Sequence, residues 1–311
     1  MNFTRLLLPA FLIPLFLLLP PSSRAQKGNP DQTGKFSAQK NKKGSDEEKE
    51  KITRWEFGLN FGAYFANPYT ASYYNGSEGN VNRISFVMTN KYWYQEIAQL
   101  LQSTDTVVVK EYPGNMHYTP AITGGLYFRF NFSRHWGIFL QMDYVQLKTD
   151  GQFTVQVDSA YYLTNPDIRL FGIHGREQRV NFDLGAHCRF PVYRNKMNLF
   201  LEGGMNFNYT GVMKSYIDFY GKEYSIINIY GNQTYVPNTD IQSNPTNQGG
   251  FGYGFLAGGG IGFTFTPQIG LELGGTMNYI TVNLEGYREF RPSGVIYLRF
   301  ILSNLINREE E

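Results

Sequence analysis

The chain has 311 residues, of which 28 are basic and 26 acidic, so that its formal net charge is +2. This balance provides no long-range field that would attract nucleic acid or anionic lipid, and we expect no nucleic-acid partner. The only cysteine is Cys188, which excludes an intramolecular disulfide framework. Past the amino-terminal region no apolar stretch approaches the ~18 residues of a membrane-spanning helix, which excludes a helical membrane protein.

The amino terminus has the layout of a cleavable export signal. Arg5 precedes an apolar run from Leu6 to Leu19, and Ser23 and Ala25 precede Gln26. The run is shorter than the ~20 apolar residues that span a bilayer. We therefore predict a signal peptide at residues 1–25, removed after export.

Residues 26–51 are rich in Lys, Gln, Asn and Glu and end in a run of charges from Asp46 to Lys51. A segment with so little apolar surface to bury is predicted to be a disordered periplasmic leader.

From Trp55 onward, segments of about 10 to 15 residues alternate apolar and polar side chains, the period of a strand with two different faces. In Arg179–Phe190, for example, one face is wholly apolar, from Val180 to Phe190, and the other carries Asp183 and His187. Eight such segments are present: Trp55–Phe65, Ile122–Asn131, Trp136–Tyr144, Arg179–Phe190, Met197–Tyr209, Phe251–Phe265, Ile269–Tyr279 and Val295–Leu302.

The connections between these segments alternate in length. Those at Ala66–Pro120, Thr149–Gln178 and Gly211–Gly250 are long, whereas those at Phe132–His135, Pro191–Lys196 and Thr266–Gln268 are short. Short turns on one side and long loops on the other are typical of outer-membrane barrels. Residues 52–303 are therefore predicted to form an all-β, eight-stranded antiparallel transmembrane up-and-down β-barrel in contact with outer-membrane lipid, with short periplasmic turns and long extracellular loops, followed by a polar tail at 304–311.

The inward face of a barrel this narrow is filled by its own side chains. Opposite charges are expected on neighbouring strands, as in Glu56 with Arg129, Arg189 with Glu202, Glu272 with Arg299, and Arg299 with Glu56. Such a pattern predicts an internal salt-bridge network. Its predicted members are Glu56, Arg129, Asp143, Arg179, Asp183, His187, Arg189, Glu202, Glu272 and Arg299.

A functional alternative makes Asp143, Asp183 and His187, with Arg179, a proton or ligand site. Motifs for catalysis are otherwise poor, since the histidines lack HExxH spacing and no Gly-x-Ser-x-Gly elbow appears. Proximity of Ser133 and His135 is more typical of a turn than of a catalytic pair. We therefore expect no enzyme, no cofactor and no metal.

The long loops are where binding residues concentrate on a rigid scaffold. Asn90–Gln102 has apolar residues at helical spacing, Thr106–Val109 is typical of a short strand, and Tyr216–Tyr235 alternates as an extended hairpin would. Packing of the first loop on itself is favoured over the alternative of an aromatic binding surface. The candidate residues for that surface are Tyr69, Tyr73, Tyr74, Tyr92, Trp93 and Tyr94.

The stretch ITGGLYFRFNFSRHWGIFLQMDY, Ile122–Tyr144, resembles the strand-turn-strand of PorT-type outer-membrane barrels. The resemblance extends loosely over Trp55–Leu302. It implies an eight-stranded barrel of the OmpA and OmpX type, and some members of the family are implied in protein secretion. The chain departs from the family in its large first loop and in its polar end.

Three functions are consistent with this pattern. The first is a structural or surface-binding barrel of the cell outer membrane whose loops bind an extracellular partner. The second is an accessory component of a secretion system, and the third is a lipid-modifying barrel enzyme. The first is the expectation that we carry forward.

Overall fold

The computed structural model describes residues 54–103, 106–157, 167–193, 196–227 and 248–303. The predicted signal peptide, the leader at 26–51 and the tail at 304–311 lie outside the described residues. No helix in the described ranges has both the length and the apolar character required to cross a membrane.

The described residues form mostly antiparallel β-structure with a few short helices. The strands are β1 (Trp55–Phe65), β2 (Val107–Glu111), β3 (Ala121–Asn131), β4 (Trp136–Val157), β5 (Asp167–Tyr193), β6 (Met197–Phe219), β7 (Lys222–Ser225), β8 (Gly249–Thr266), β9 (Ile269–Ile280) and β10 (Arg291–Ser303). The helices are α1 (Pro68–Ala71), which continues into a 3-10 turn (Ser72–Tyr74), α2 (Ser85–Met88) and α3 (Lys91–Leu100).

Eight strands pair antiparallel in a closed circuit, which we call the ring. The order is β1, β3, β4, β5, β6, β8, β9 and β10, and β10 pairs back onto β1. The ring strands are uneven, from 11 residues in β1 to 27 in β5. Each of the eight predicted segments coincides with one ring strand.

Three ring strands are much longer than the sequence segments predicted. β4 continues to Val157 and β5 begins at Asp167, so most of the predicted connection Thr149–Gln178 is a paired hairpin rather than a loop. β6 likewise continues to Phe219 and turns into β7, which agrees with the first part of the hairpin predicted at Tyr216–Tyr235, and residues 228–235 lie outside the described residues. Together with β2, which pairs with β4, these extensions form what we call the projecting sheet.

The strands exchange their apolar and polar faces where the projecting sheet begins: the apolar side chains point outward below this level and inward above it. In the lower part of β4, apolar Leu140 and Met142 point outward and are exposed, while Asp143 is buried inside. Above Tyr144 the order inverts, because polar residues such as Lys148 now point outward and apolar ones inward. The same inversion occurs in β5 and β6. In β4 and β5 the alternation continues through the boundary without a register shift, whereas in β6 an extra residue, Met213, shifts it by one position.

The outer face of the lower ring is a continuous apolar surface. Cys188 lies on this face, opposite Trp136 on β4, and is buried by its surroundings. Exposed apolar side chains are contributed by every ring strand, and they include Leu59, Phe61, Leu126, Ile138, Leu140, Leu184, Leu201, Met205, Phe255, Leu273, Ile296 and Phe300.

The first loop, residues 66–120, folds into a cap over the inner face of the projecting sheet. Asn90 begins α3 by accepting hydrogen bonds from the backbone N–H groups of Tyr92 and Trp93, a standard amino-terminal cap. The predicted helix and the predicted short strand of this loop are therefore confirmed. The cap and the sheet share one apolar core that includes Tyr73, Tyr74, Ile84, Val87, Ile97, Leu101, Leu147, Phe153, Val155, Ile173, Ile217 and Phe219.

Glycines in β8 and β9 make room inside the ring for two aromatic side chains. A Cβ placed on Gly274 would lie 2.7 Å from the Tyr297 hydroxyl and 3.0 Å from Phe200, and one on Gly260 would lie 2.8 Å from Phe200. On the outward side, the atom nearest a Cβ on the adjacent Gly275 is a backbone oxygen at 3.4 Å.

The two adjacent glycines give a matched test of this packing. We expect Gly274→Val to lower the free energy of unfolding by ~1–3 kcal/mol, because the added side chain displaces Tyr297. Gly275→Val points outward and should change stability by no more than ~0.5 kcal/mol. Urea unfolding of the detergent-solubilised protein measures both, and equal losses would contradict the inward orientation of Gly274.

Candidate functional site

Charged and polar side chains inside the ring lie in three layers. The lower layer is nearest the short turns, the middle layer surrounds Asp143 and Asp183, and the upper layer lies beneath the cap around Glu177 and Arg179. All of these groups come from inward positions of the strands, as the alternation predicts.

Arg299 is at the centre of the lower layer and is fully buried. Its Nη1 atom lies 2.8 Å from the carboxylates of both Glu202 and Glu272. Its other nitrogens donate to Asn60 at 2.9 Å and to Gln141 at 2.8 Å. The guanidinium therefore joins β10 to strands on several sides of the ring.

Arg129 forms the second centre of the lower layer. It pairs with Glu56 and, at 3.0 Å, with Glu272. Arg189 also reaches Glu56, at 3.1 Å from its carboxylate. The layer thus contains three arginines and three glutamates, and this balance is what buried charges require.

Two of the four predicted neighbour pairs are present, Glu56 with Arg129 and Glu272 with Arg299. In the other two, the opposite charges lie on neighbouring strands but bind other partners. His187 rather than Arg189 lies opposite Glu202, with 3.1 Å between His187 Nδ1 and the carboxylate. Arg299 turns to Glu202 on β6 instead of Glu56, because a narrow interior lets long side chains reach strands that are not neighbours.

The upper layer connects the ring to the cap through Glu177, which the sequence analysis missed. Its carboxylate accepts hydrogen bonds from Arg179 at 2.6 Å, from Tyr74 at 2.7 Å and from Tyr118 at 2.9 Å. Arg179 in turn donates to Thr70 of α1 at 3.1 Å. The signal that would have found Glu177 is its position two residues from Arg179, on the same face.

The alternative of a proton or ligand site formed by Asp143, Asp183, His187 and Arg179 is not supported. His187 belongs to the lower layer and Arg179 to the upper layer. Asp143 and Asp183 remain together in the middle layer, without the other two.

A cavity of about 510 Å³ opens at the turn side of the ring. Arg129 and Glu272 of the lower layer form part of its lining, as do Ser133 and His135. Ser133 Oγ accepts the backbone N–H groups of His135 and Trp136, at 3.3 and 3.0 Å, which is turn chemistry as the sequence suggested. Among the described residues, no group of three or more His, Cys, Asp or Glu side chains is arranged to hold a metal.

The six candidate aromatic residues of the first loop do not share one surface. Tyr73 and Tyr74 are buried in the cap core. Tyr69 packs at a tilt against Tyr287 of the β9–β10 connection, with ring centroids 5.2 Å apart, and Trp93 packs against Phe86 at 5.9 Å. The contacts of Tyr73 with Tyr74 and of Trp93 with Phe86 agree with packing of the loop on itself, whereas Tyr69 packs against another loop.

The other two candidates lie on α3. The Tyr94 hydroxyl accepts the backbone N–H of Val107 at 3.0 Å, which ties the helix to β2. Tyr92 is 55% exposed. The loop therefore offers a surface at Tyr92 but not the aromatic surface that the six residues together suggested.

Further contacts hold the cap against the projecting sheet. Glu96 of α3 pairs with Lys222 and accepts the Tyr224 hydroxyl at 3.0 Å. The hydrogen bond from Lys222 lowers the pKa of the Glu96 carboxyl. Burial raises the pKa of Tyr74 well above its ordinary value, so that Tyr74 stays a neutral donor to Glu177.

An exposed apolar patch lies at the tip of the projecting sheet, and we call it the tip patch. Val108 on β2 is opposite Gln156 on β4, which is opposite Ile168 on β5, so that all three point to the same face. Leu170 follows on the same face of β5, two residues after Ile168. The exposed fractions are 47% for Val108, 56% for Ile168 and 56% for Leu170.

Comparison with known proteins finds solved structures that resemble this chain in structure but not in sequence. No protein-family model matches the chain, and no curated protein matches it. Among solved structures, Neisserial surface protein A is 9% identical, with a TM-score of 0.38 over 81% of this chain and 98% of its own.

Two further structures are similarly distant. The outer membrane protein OprG from Pseudomonas aeruginosa is 10% identical, with a TM-score of 0.35 over 81% of this chain and 94% of its own. The attachment invasion locus protein Ail of Yersinia pestis, in complex with the heparin analogue sucrose octasulfate, is 9% identical, with a TM-score of 0.31 over 80% of this chain and 98% of its own. Similarity at this level carries no information on the function of this chain.

Proposed function

We propose that the chain is an integral outer-membrane protein, an eight-stranded up-and-down β-barrel that holds a projecting sheet and a folded cap outside the cell, and that the tip patch of the projecting sheet binds a protein partner. The observation that carries the proposal is the inversion of inside and outside at the level of Tyr144. Exposed leucine and methionine below this level are suited to hydrocarbon, and exposed lysine and glutamine above it are suited to water.

Aromatic side chains mark both borders of the proposed membrane segment. Near the turns, Trp55 packs against Phe130 with ring centroids 4.7 Å apart. At the other border, Tyr209 packs against Phe251 at 5.2 Å. Tyr and Trp are enriched at membrane–water interfaces, and the stretch Trp136–Tyr144 between the borders matches the ~9 to 11 residues that a tilted strand needs to cross.

A binding role is favoured over a pore by the contents of the ring. The buried side chains of Arg129, Arg299, Tyr127 and Phe200 fill its cross-section. Their ion pairs and hydrogen bonds hold them in place, and a barrel of eight strands leaves little room beyond its own side chains.

The tip patch is a part of the projecting sheet whose exposure no contact among the described residues explains. The strand residues between Val180 and Ile168 raise it far above the proposed membrane border, so lipid does not cover it. Exposed apolar patches rimmed by polar residues are typical of protein-binding sites. The partner that fits is a protein with an apolar surface, and this proposal does not require catalysis.

Site-specific photo-crosslinking on intact producing cells tests the proposal. We expect a photoreactive side chain at Ile168 to form a discrete adduct with one protein. The matched control is Lys148, which points to the same side of the projecting sheet but lies near the membrane border.

The companion variant Leu170→Asp should reduce the adduct formed from position 168, because it places a charge in the apolar contact. The surface-binding role is ruled out if positions 168 and 148 give the same adducts or neither gives one. Loss of the protein from the outer-membrane fraction would instead contradict the proposed membrane barrel.

A further inference from the structure

The middle layer of the ring encloses a small chamber between the charged network below and the cap above. Its cavity has a volume of about 10 Å³, close to the ~10–15 Å³ that accommodates a single water-sized particle. Strands from several sides of the ring contribute to its walls. The lining residues are Tyr64, Thr123, Gln141, Asp143, Asn181, Asp183, Thr276, Asn278 and Val295.

Two carboxylates border this chamber without a cation of their own. Asp143 accepts hydrogen bonds from the amides of Gln141 and Asn60, and Asp183 accepts one from Asn206 at 2.6 Å. Within the described part of the chain, neither carboxylate forms an ion pair with a basic side chain. Arg299 approaches this layer, but it donates to Asn60 and Gln141 instead.

Two buried amide oxygens, from Asn181 and Asn278, also belong to the wall of the chamber. Asn181 and Asn278 are 4% and 2% exposed, and none of the described residues donates a hydrogen bond to the Oδ1 atom of either. A buried acceptor without a donor is unfavourable unless another positive group satisfies it. The chamber therefore brings together two carboxylates and two donor-free carbonyl oxygens around a space of atomic size.

We propose that this chamber is a binding site for one Ca²⁺ ion, held by Asp143, Asp183, Asn181 and Asn278. Carboxylate and amide oxygens are the ligands that Ca²⁺ takes in proteins, at 2.3–2.6 Å. One Ca²⁺ balances the charge of both carboxylates. The hydroxyls of Thr123 and Thr276 on the same wall offer further oxygen ligands. Mg²⁺ fits less well, because it usually keeps several water molecules, for which the chamber has no space.

Equilibrium dialysis with ⁴⁵Ca²⁺ tests the site on the full chain. Because the chamber is enclosed, the protein is refolded into detergent with Ca²⁺ present and then dialysed. We expect one Ca²⁺ per folded chain, retained in an excess of Mg²⁺. Asp143→Asn and Asp183→Asn should each weaken binding by about tenfold or more, since each removes a charged ligand.

Asp150→Asn is the matched control, because Asp150 is an exposed carboxylate on the projecting sheet that pairs with His174. Binding by this variant should equal that of the unmodified protein. Heat-modifiable migration on a gel verifies that every variant is folded. Absence of bound Ca²⁺ in the folded unmodified protein overturns the proposal, as does equal binding by the variants at 143, 183 and 150.

Discussion

Arg299→Met is expected to lower the free energy of unfolding by about 3–5 kcal/mol, because removing one partner of a buried ion pair leaves the other charge uncompensated. Glu202 would lose its arginine, and Glu272 would keep only Arg129. The exposed pair Arg291–Glu289 provides the control, since its side chains are 42% and 58% exposed. Arg291→Met should cost about 0–1 kcal/mol.

A second substitution in the same protein tests why Arg299→Met lowers the free energy of unfolding. In the double variant Arg299→Met with Glu202→Gln, the carboxylate that lost its partner is also removed, so part of the stability should return. Urea unfolding in detergent measures all of these variants. A loss of stability at Arg299 no larger than that at Arg291 would show that the lower layer contributes little. No recovery in the double variant would show that the unpaired Glu202 carboxylate is not the cause of the loss.

Glu177→Gln is expected to release the cap while the ring stays folded. The substitution leaves Arg179 buried without its carboxylate and weakens the acceptor for Tyr74 and Tyr118. A buried charge left alone in this way costs about 3–5 kcal/mol. Limited proteolysis of the detergent-solubilised protein should therefore cleave the segment 66–120 much faster than in the unmodified chain.

Glu223→Gln is the control for this experiment, because Glu223 lies exposed on β7 at the edge of the projecting sheet. Its cleavage rate should match that of the unmodified protein. Heat-modifiable migration reports on the ring separately. If Glu177→Gln abolishes that migration too, cap and ring unfold together, and Glu177 stabilises the whole chain rather than the attachment of the cap.

Much of the ring is predictable from local sequence. Strand segments such as Arg179–Phe190 carry a period-2 alternation that depends only on the geometry of a strand. The helix α3 is signalled by its spacing and by Asn90 at its start. The inward placement of Glu56, Arg129, Glu202 and the other charged groups follows from the same alternation.

The partners of those charged groups are not predictable in the same way. Glu272 and Arg299 lie opposite each other on adjacent strands, and their pairing was expected from strand order. Arg299 and Glu202 meet across the interior, as do Arg189 and Glu56, because closure of the ring brings strands together that no local pattern relates. Glu177 was missed for a similar reason, since its partners Tyr74 and Tyr118 come from the first loop.

The repeat of two residues predicts which stretches form strands of the ring and which side chains share a face. What each face contacts depends on the tertiary structure. At Tyr144 the alternation of β4 continues, but the apolar side chains change from the outward face to the inward face. The reason is that the core beneath the cap is apolar, whereas the interior of the lower ring is polar. The surroundings of a face depend on distant segments, and for this reason the projecting sheet, the tip patch and the chamber became visible only in the folded chain.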